Sequence, residues 1–182
     1  MTNIHIRTAE KSDLPDILDI YSYYIKETVI TFEEIIPDLA EMERRFDEIA
    51  TLNMPYLVCV LNGQIVGYAY GGAFRTRVAY RFSVEHSIYL AKDAQGHGIG
   101  SKLMQALITE LEKRNIRQLI AVIGDSKNEA SIALHKKFGF VHQGTLPATG
   151  YKFNRWIDTV MMQKTLGDGD KRDPTGTGLN LS

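Results

Sequence analysis

The chain has 182 residues, a formal net charge of −1 and 44% hydrophobic residues. That length suits one α/β domain with a substantial core, and the near-neutral charge supplies no global attraction to nucleic acid or an anionic membrane. A single cysteine excludes an internal disulfide and a cysteine-rich metal site, and five scattered histidines without a His-x-x-x-His pair point to no zinc or iron centre. No apolar run approaches a membrane span, and Met1-Thr2-Asn3-Ile4-His5-Ile6-Arg7 lacks the apolar centre of a secretory signal. A cytoplasmic protein without a metal is expected.

Ile4 to Thr8 alternates as a first strand. Ser12 reads as an N-cap, with Asp13 and Pro15 in the first turn of a helix that carries Leu14, Ile17, Leu18, Tyr21 and Ile25 to about Lys26. Pro37-Asp38 opens a second helix with Leu39, Met42, Phe46 and Ile49 on its inner face. Strands at Tyr56–Leu61 and Gln64–Gly72 flank Asn62-Gly63, a hairpin signal, and place Cys59 in buried strand. A loop with Arg75, Thr76 and Arg77 leads to a strand around Arg81–Leu90. A helix from Ser101 to about Asn115 presents Leu103, Met104, Leu107, Ile108 and Leu111 on one face. Leu119–Ile123 is a buried strand, Glu129–Phe138 a helix, and Val141–Gly144 and Asp158–Lys164 are closing strands. The segment 167–182, rich in Gly, Asp, Pro and Thr, has little to bury and reads as a mobile tail after a domain spanning 1–166.

Gln95-Gly96-His97-Gly98-Ile99-Gly100-Ser101 lies between the Arg81–Leu90 strand and the following helix. A helix start without bulky side chains leaves backbone N–H groups free at the positive end of the dipole, which suits an anion. A P-loop needs Gly-Lys-Ser/Thr, but Gly100 is followed by Ser101 and then Lys102; a dinucleotide fingerprint needs its third glycine one residue later. What remains is either a phosphate cradle of another kind or a plain strand-to-helix turn.

The pattern Gln95, Gly98, Gly100 resembles the acyl-CoA pyrophosphate loop of the GNAT superfamily of N-acetyltransferases, and the order β-α-α-β-β-β-α-β-α-β-β is also that of this family. The block from Asn128 through Leu134, His135 and Phe138-Gly139-Phe140 is similar to another family element. Arg81-Phe82-Ser83-Val84-Glu85-His86-Ser87-Ile88-Tyr89-Leu90, Gly144-Thr145-Leu146, Gly150-Tyr151-Lys152-Phe153 and Trp156-Ile157-Asp158 resemble the phosphinothricin and methionine sulfoximine N-acetyltransferases within it. The resemblance covers about Ile6 to Leu166. It implies an α/β fold with a mixed, mostly antiparallel sheet, a splayed central strand pair and helices on both faces. It also implies acetyl-CoA as cosubstrate, a small amino-acid-like acceptor and a homodimer.

On that resemblance, cofactor contacts fall on Ile88, Tyr89 and Leu90, on Gln95, Gly96, His97, Gly98, Ile99, Gly100 and Ser101, and on Asn128. Asn128 equally suits a helix cap, and Gly139 a helix terminator. Glu85 is the candidate general base: an α-amine must lose a proton before it attacks a thioester, and burial raises a carboxyl's pKa toward a useful value. Without the motif it reads as a solvent-facing strand carboxylate. His135 replaces the tyrosine that serves many family members as general acid, and is a base, a proton donor to the thiolate, or a packed helix histidine. Arg75, Thr76, Arg77 and Glu85 are the substrate-binding candidates, with one arginine of Arg75, Arg77 and Arg81 matching an oxyanion by bidentate geometry. Arg81 otherwise pairs with an acid, and His86 faces the opposite side of the strand from Glu85 as a structural residue. Acetylation of another amine, or an acyl-CoA sensor without catalysis, are the rival readings.

Overall fold

A computed structural model describes residues 4–181, so Met1 to Asn3 of the amino-terminal reading and Ser182 of the tail lie outside the described residues. Seven strands form one sheet: β1 (Ile4–Thr8), β2 (Tyr56–Leu61), β3 (Gln64–Ala73), β4 (Ser83–Leu90), β5 (Gln118–Gly124), β6 (Val141–Lys152) and β7 (Arg155–Thr165). Their spatial order is β1-β2-β3-β4-β5-β7-β6. Every neighbouring pair is antiparallel except β4–β5. The helices are α1 (Leu14–Glu27), α2 (Leu39–Thr51), α3 (Ile99–Lys113) and α4 (Glu129–Lys137).

Alternation along the strands sends side chains to two cores. On one face α1 and α2 bury Ile17, Tyr21, Tyr24 and Met42 against Tyr56, Val58 and Tyr68. On the other, α3 buries Leu103, Met104, Leu107 and Leu111 against Cys59, Ala69, Val84 and Leu119, with Leu134 of α4 packed alongside. Among the described residues no helix is long and apolar enough to cross a membrane.

Several local expectations shift. Asp13, not Ser12, precedes α1; Ser12 sits in a 3-10 turn, Lys11–Asp13, closed by the Asp13 carboxylate, which accepts from the Glu10 amide and pairs with Arg7 at 2.6 Å. The Arg7 guanidinium holds the Asp13 carboxyl below its ordinary range. Asp38 caps α2 by accepting from the Glu41 amide, but Leu39 is 41% exposed and not on the inner face. The helix α3 starts two residues before Ser101, at Ile99.

The closing strands are far longer than expected. Gly144, Pro147 and Gly150 read as breakers, but β6 is an edge strand, where a missing N–H costs no ladder bond, and register shifts at His142/Gly144 and Leu146/Gly150 absorb them. The β6–β7 turn takes positive φ at Phe153 and Asn154, a geometry without the glycine that usually announces it. The segment 167–181 has no helix or strand, yet Leu179 is 3% exposed and belongs to the α3-side core, contrary to a composition with little to bury.

Candidate active site

The pairing of β4 with β5 covers only Ser83↔Gln118, Val84↔Leu119 and Glu85↔Ile120. Beyond Glu85 the two parallel strands part, because β5 continues its pairing with β7 as far as Gly124↔Thr159 while β4 follows β3. The edge of β4 facing the gap therefore has no strand partner. Leu90 marks this edge: its N–H donates to Tyr24 Oη at 3.3 Å, and the same hydroxyl donates to Leu90 O at 2.7 Å. A cavity of about 220 Å³ opens at the parting. Glu85, Ile88 and Tyr89 line it from β4, His135 from α4 and Asn128 from the N-cap of that helix, and Ile30, Thr31 and Phe32 from the α1–α2 connector.

The connector reaches this position because two glycines let it. Val29 O and Ile30 O lie where a Cβ on Gly124 would stand, at 2.6 and 2.9 Å, and the Phe32 ring crosses Gly150, with its Cε2 2.5 Å from that residue's ideal Cβ position. Thr31, 7% exposed, is tied by its hydroxyl to Tyr21 Oη at 3.0 Å, and its carbonyl accepts from Lys152 Nζ at 2.9 Å.

Glu85 and His135 approach the gap from opposite faces of β4. The neighbour of Glu85, His86, points to the α3–α4 face and meets His135, as alternation requires. Glu85 points to the α1–α2 face. No described residue hydrogen-bonds its carboxylate. Burial pushes its pKa up, and the Arg75 guanidinium opposes that shift. Among the three candidate arginines, Arg75 is thus the one whose charge acts on Glu85. Its side chain lies over the Phe74 ring, 4.4 Å from the centroid, while Arg75, Thr76 and Arg77 are all exposed. Arg81 lies outside β4 and makes no ion pair among the described residues; it leans over Phe82 instead.

The histidine pair has a fixed proton arrangement. His135 Nδ1 is 2.6 Å from Ser131 O, and a carbonyl only accepts, so the proton is on Nδ1. Neutral His135 then offers a lone pair at Nε2, and His86 Nε2–H donates to it across 3.1 Å. His86 Nδ1 is left as a buried acceptor without a partner. Burial, with His135 adding to it, lowers the His86 pKa to about 3, and burial also lowers that of His135. The sequence marked His86 as structural but gave no sign of this partnership, which joins residues 49 positions apart.

The glycine loop ends in an uncapped helix. Gly98 precedes α3 with φ 76°, a left-handed conformation that glycine adopts without strain. The first i→i−4 bond is Lys102 N to Gly98 O at 3.2 Å, so the amides of Ile99, Gly100 and Ser101 point out of the helix start without intrahelical acceptors. Gly96, His97 and Gly98 are exposed beside them. Lys137 of α4 reaches in and donates to Ser101 Oγ at 3.0 Å, adding a cation that the sequence reading missed. Gln95 Nε2 donates to Tyr24 Oη at 3.3 Å, so one hydroxyl joins the open edge of β4 to the loop. Asn128 caps α4 by accepting from the Ser131 amide at 3.2 Å. Free amides, helix dipole and lysine fit a pyrophosphate, and the unpaired strand edge fits an extended amide-bearing arm.

Known proteins share this architecture. The acetyltransferase (GNAT) domain family matches residues 6–161. A phosphinothricin N-acetyltransferase of Alcaligenes faecalis is 45% identical over 93% of this chain and 86% of its own length. An L-methionine sulfoximine/L-methionine sulfone acetyltransferase of Pseudomonas aeruginosa is 39% identical over 93% of this chain and 95% of its own. The crystal structure of a GNAT superfamily phosphinothricin acetyltransferase from Sinorhizobium meliloti in complex with AcCoA superposes with a TM-score of 0.93. It is 44% identical and covers 96% of this chain and 95% of that one. With the family matched over residues 6–161 and relatives of 45% and 39% identity spanning nearly the whole chain, the chain belongs to the GNAT family of N-acetyltransferases.

Proposed function

We propose that this enzyme transfers acetyl from acetyl-CoA to the α-amine of a small amino acid of the phosphinothricin, methionine sulfoximine or methionine sulfone type, in one ternary complex with Glu85 as general base. The observation that carries the reading is the Glu85 carboxylate. It is unbonded, half-buried, shifted upward by its surroundings, and placed where the β4–β5 gap joins the two faces of the sheet. Relatives named for acetylating phosphinothricin and methionine sulfoximine or sulfone, matched over most of their length, support the choice of acceptor.

In this reading the loop from Gln95 to Ser101, with Lys137, holds the pyrophosphate, and the open edge of Ile88–Leu90 holds the pantetheine arm and leads the thioester into the gap. The acceptor lies on the α1–α2 face under Thr31 and Phe32, with its acidic groups toward Arg75 and the neighbouring Arg77. Glu85, directly or through a water, takes a proton from the ammonium. The freed nitrogen lone pair forms the N–C bond to the thioester carbonyl carbon, the C–S bond breaks, and a proton from solvent or the amine restores the thiol. A backbone N–H on the open β4 edge steadies the negative charge on the carbonyl oxygen. His135 walls the cavity from the cofactor side, since both its ring nitrogens are engaged. Exposed Leu146, Tyr151 and Trp156 on β6 and β7 support extending the reading to a homodimer.

The test is thiol release from acetyl-CoA with phosphinothricin, methionine sulfoximine, methionine sulfone, ordinary amino acids, a polyamine and a peptide with a free N-terminus. Turnover confined to the first three, lost in Glu85→Gln, is expected. Tight CoA binding without amine-dependent thiol release would replace the proposal with a sensor role.

A further inference from the structure

We infer that the C-terminal segment 176–181 is a strap that fixes the arginine loop and so sets the affinity for the acceptor, with Leu179 as its positioning residue. The loop between β3 and β4 carries Arg75, Thr76, Arg77 and Arg81. Arg75 and Arg77 are exposed, and neither makes an ion pair among the described residues; within the loop Phe74 and Tyr80 meet edge to face at 5.8 Å and the Tyr80 N–H donates to Arg77 O. What ties the loop to the rest of the fold is a set of contacts from the C-terminal segment. Leu179 N–H donates to Arg81 O at 2.7 Å. Gly178 lies so close to Arg81 that an added Cβ would stand 2.5 Å from its carbonyl oxygen. Leu179 is 3% exposed in the α3-side core, and Leu181 packs against that core. Asn180 and Leu181 then share a groove with Thr76 at the other end of the loop, beside Thr51 and Leu52 at the C-terminal end of α2.

The strap is anchored at its near side as well. The Arg117 guanidinium reaches Asp173 O at 3.4 Å and Asp168 at 3.9 Å, while the amides of Arg117 and Gln118 both donate to Phe82 O. Strap, loop and the start of β5 are thus one hydrogen-bonded assembly. A polar, glycine-rich segment would not remain on the surface by its own propensity; the buried leucine pins it. The consequence is selective. The loop carries the arginine whose charge acts on Glu85, whereas the glycine loop and the open β4 edge belong to other elements. Loss of the strap displaces the arginines and leaves the cofactor site intact.

The inference rests on the proposed acceptor site, and the experiment separates the two. Three variants are compared with the full chain: one ending at Thr175, Leu179→Ala, and the conservative Leu179→Met. The first two are expected to raise the acceptor KM about tenfold, with kcat and the acetyl-CoA dissociation constant within about twofold of the parent. Leu179→Met should restore the parent KM. Limited trypsin digestion reads the same loop without any substrate: cleavage after Arg75 and Arg77 should quicken in the first two variants only. If the truncated chain does not fold, the two point variants decide. Unchanged KM and cleavage, or equal losses in acceptor and acetyl-CoA binding, would overturn the strap. Should no amino acid be acetylated at all, the acceptor assignment fails, and the trypsin pattern still decides whether the loop is held.

Discussion

Gly124→Ala is the sharpest perturbation of the cavity, because it changes one methyl group at a contact with backbone. The new Cβ would lie 2.6 Å from Val29 O, 2.9 Å from Ile30 O and 3.2 Å from Phe32 Cε1. The closest contact falls about 0.8 Å short of ordinary van der Waals separation, and carbonyl oxygens of a connector cannot swing aside as a flexible side chain does. Overpacking of this kind costs about 1–3 kcal/mol. Reduced freedom of the unfolded chain offsets about 0.5 kcal/mol. The net loss of about 0.5–2.5 kcal/mol lowers the melting temperature by roughly 1–10 °C for a chain of this size. Because residues 30–32 roof the cavity, a shift of nearly 1 Å should also raise the acceptor KM by about tenfold to a hundredfold. Gly144→Ala is the control: no heavy atom lies within 4 Å of its Cβ position, so it should melt like the parent. Thermal melts monitored by circular dichroism, with acceptor titrations by thiol release, measure both effects. A Gly124→Ala protein that melts within about 1 °C of the parent and keeps its KM would refute the close-packed roof.

Glu85→Gln should lower kcat by about 10²- to 10⁴-fold. Parent kcat/KM should fall as pH drops through the raised Glu85 pKa, measured as a pH–rate profile; an unshifted profile in the variant sinks the base assignment. The same burial makes the ionised carboxyl a folding cost, which is present above the folded pKa and absent below the unfolded one, so Glu85→Gln should melt above the parent at neutral pH, with the gap closing below about pH 4. For His86, lowered to about 3 when folded, the unfolded chain binds the extra proton. Stability on this account is complete above about pH 6.5 and drains away as pH falls toward the folded value. Urea titrations of His86→Leu should show a slope smaller by about 1.4 kcal/mol per pH unit between about pH 4 and 6, and equal slopes would contradict the neutral, buried pair. Tyr24→Phe removes the hydroxyl that joins Leu90 to Gln95, and calorimetry should find acetyl-CoA binding weaker by about threefold to tenfold, with tighter or unchanged binding as the refuting result.

The elements that carry a local code were legible in the sequence. Asn62-Gly63 gives φ of 51° and 86° at the hairpin, Asp38 and Asn128 cap their helices, and Gly139 terminates α4 with φ 80°. The α3 stripe is buried throughout. Where code and context disagree, context wins. The breakers of β6 are tolerated because that strand is an edge, and the Phe153-Asn154 turn is held at positive φ by the long strands on either side.

The site divides in the same way. Sequence by itself determined the family frame, the glycine loop and the position of Glu85 on a strand next to His86, since each depends on a contiguous run of residues. Only the tertiary structure decided which groups meet across the chain. His86 donates to His135, Tyr24 links β4 to Gln95, Lys137 reaches the loop, and Leu179 returns to Arg81. The physical reason is that an isolated histidine, tyrosine or leucine carries no record of its partner. Those pairings follow from the parting of β4 and β5 and from the packing of helices and tail around it, which exist only once the sheet has formed.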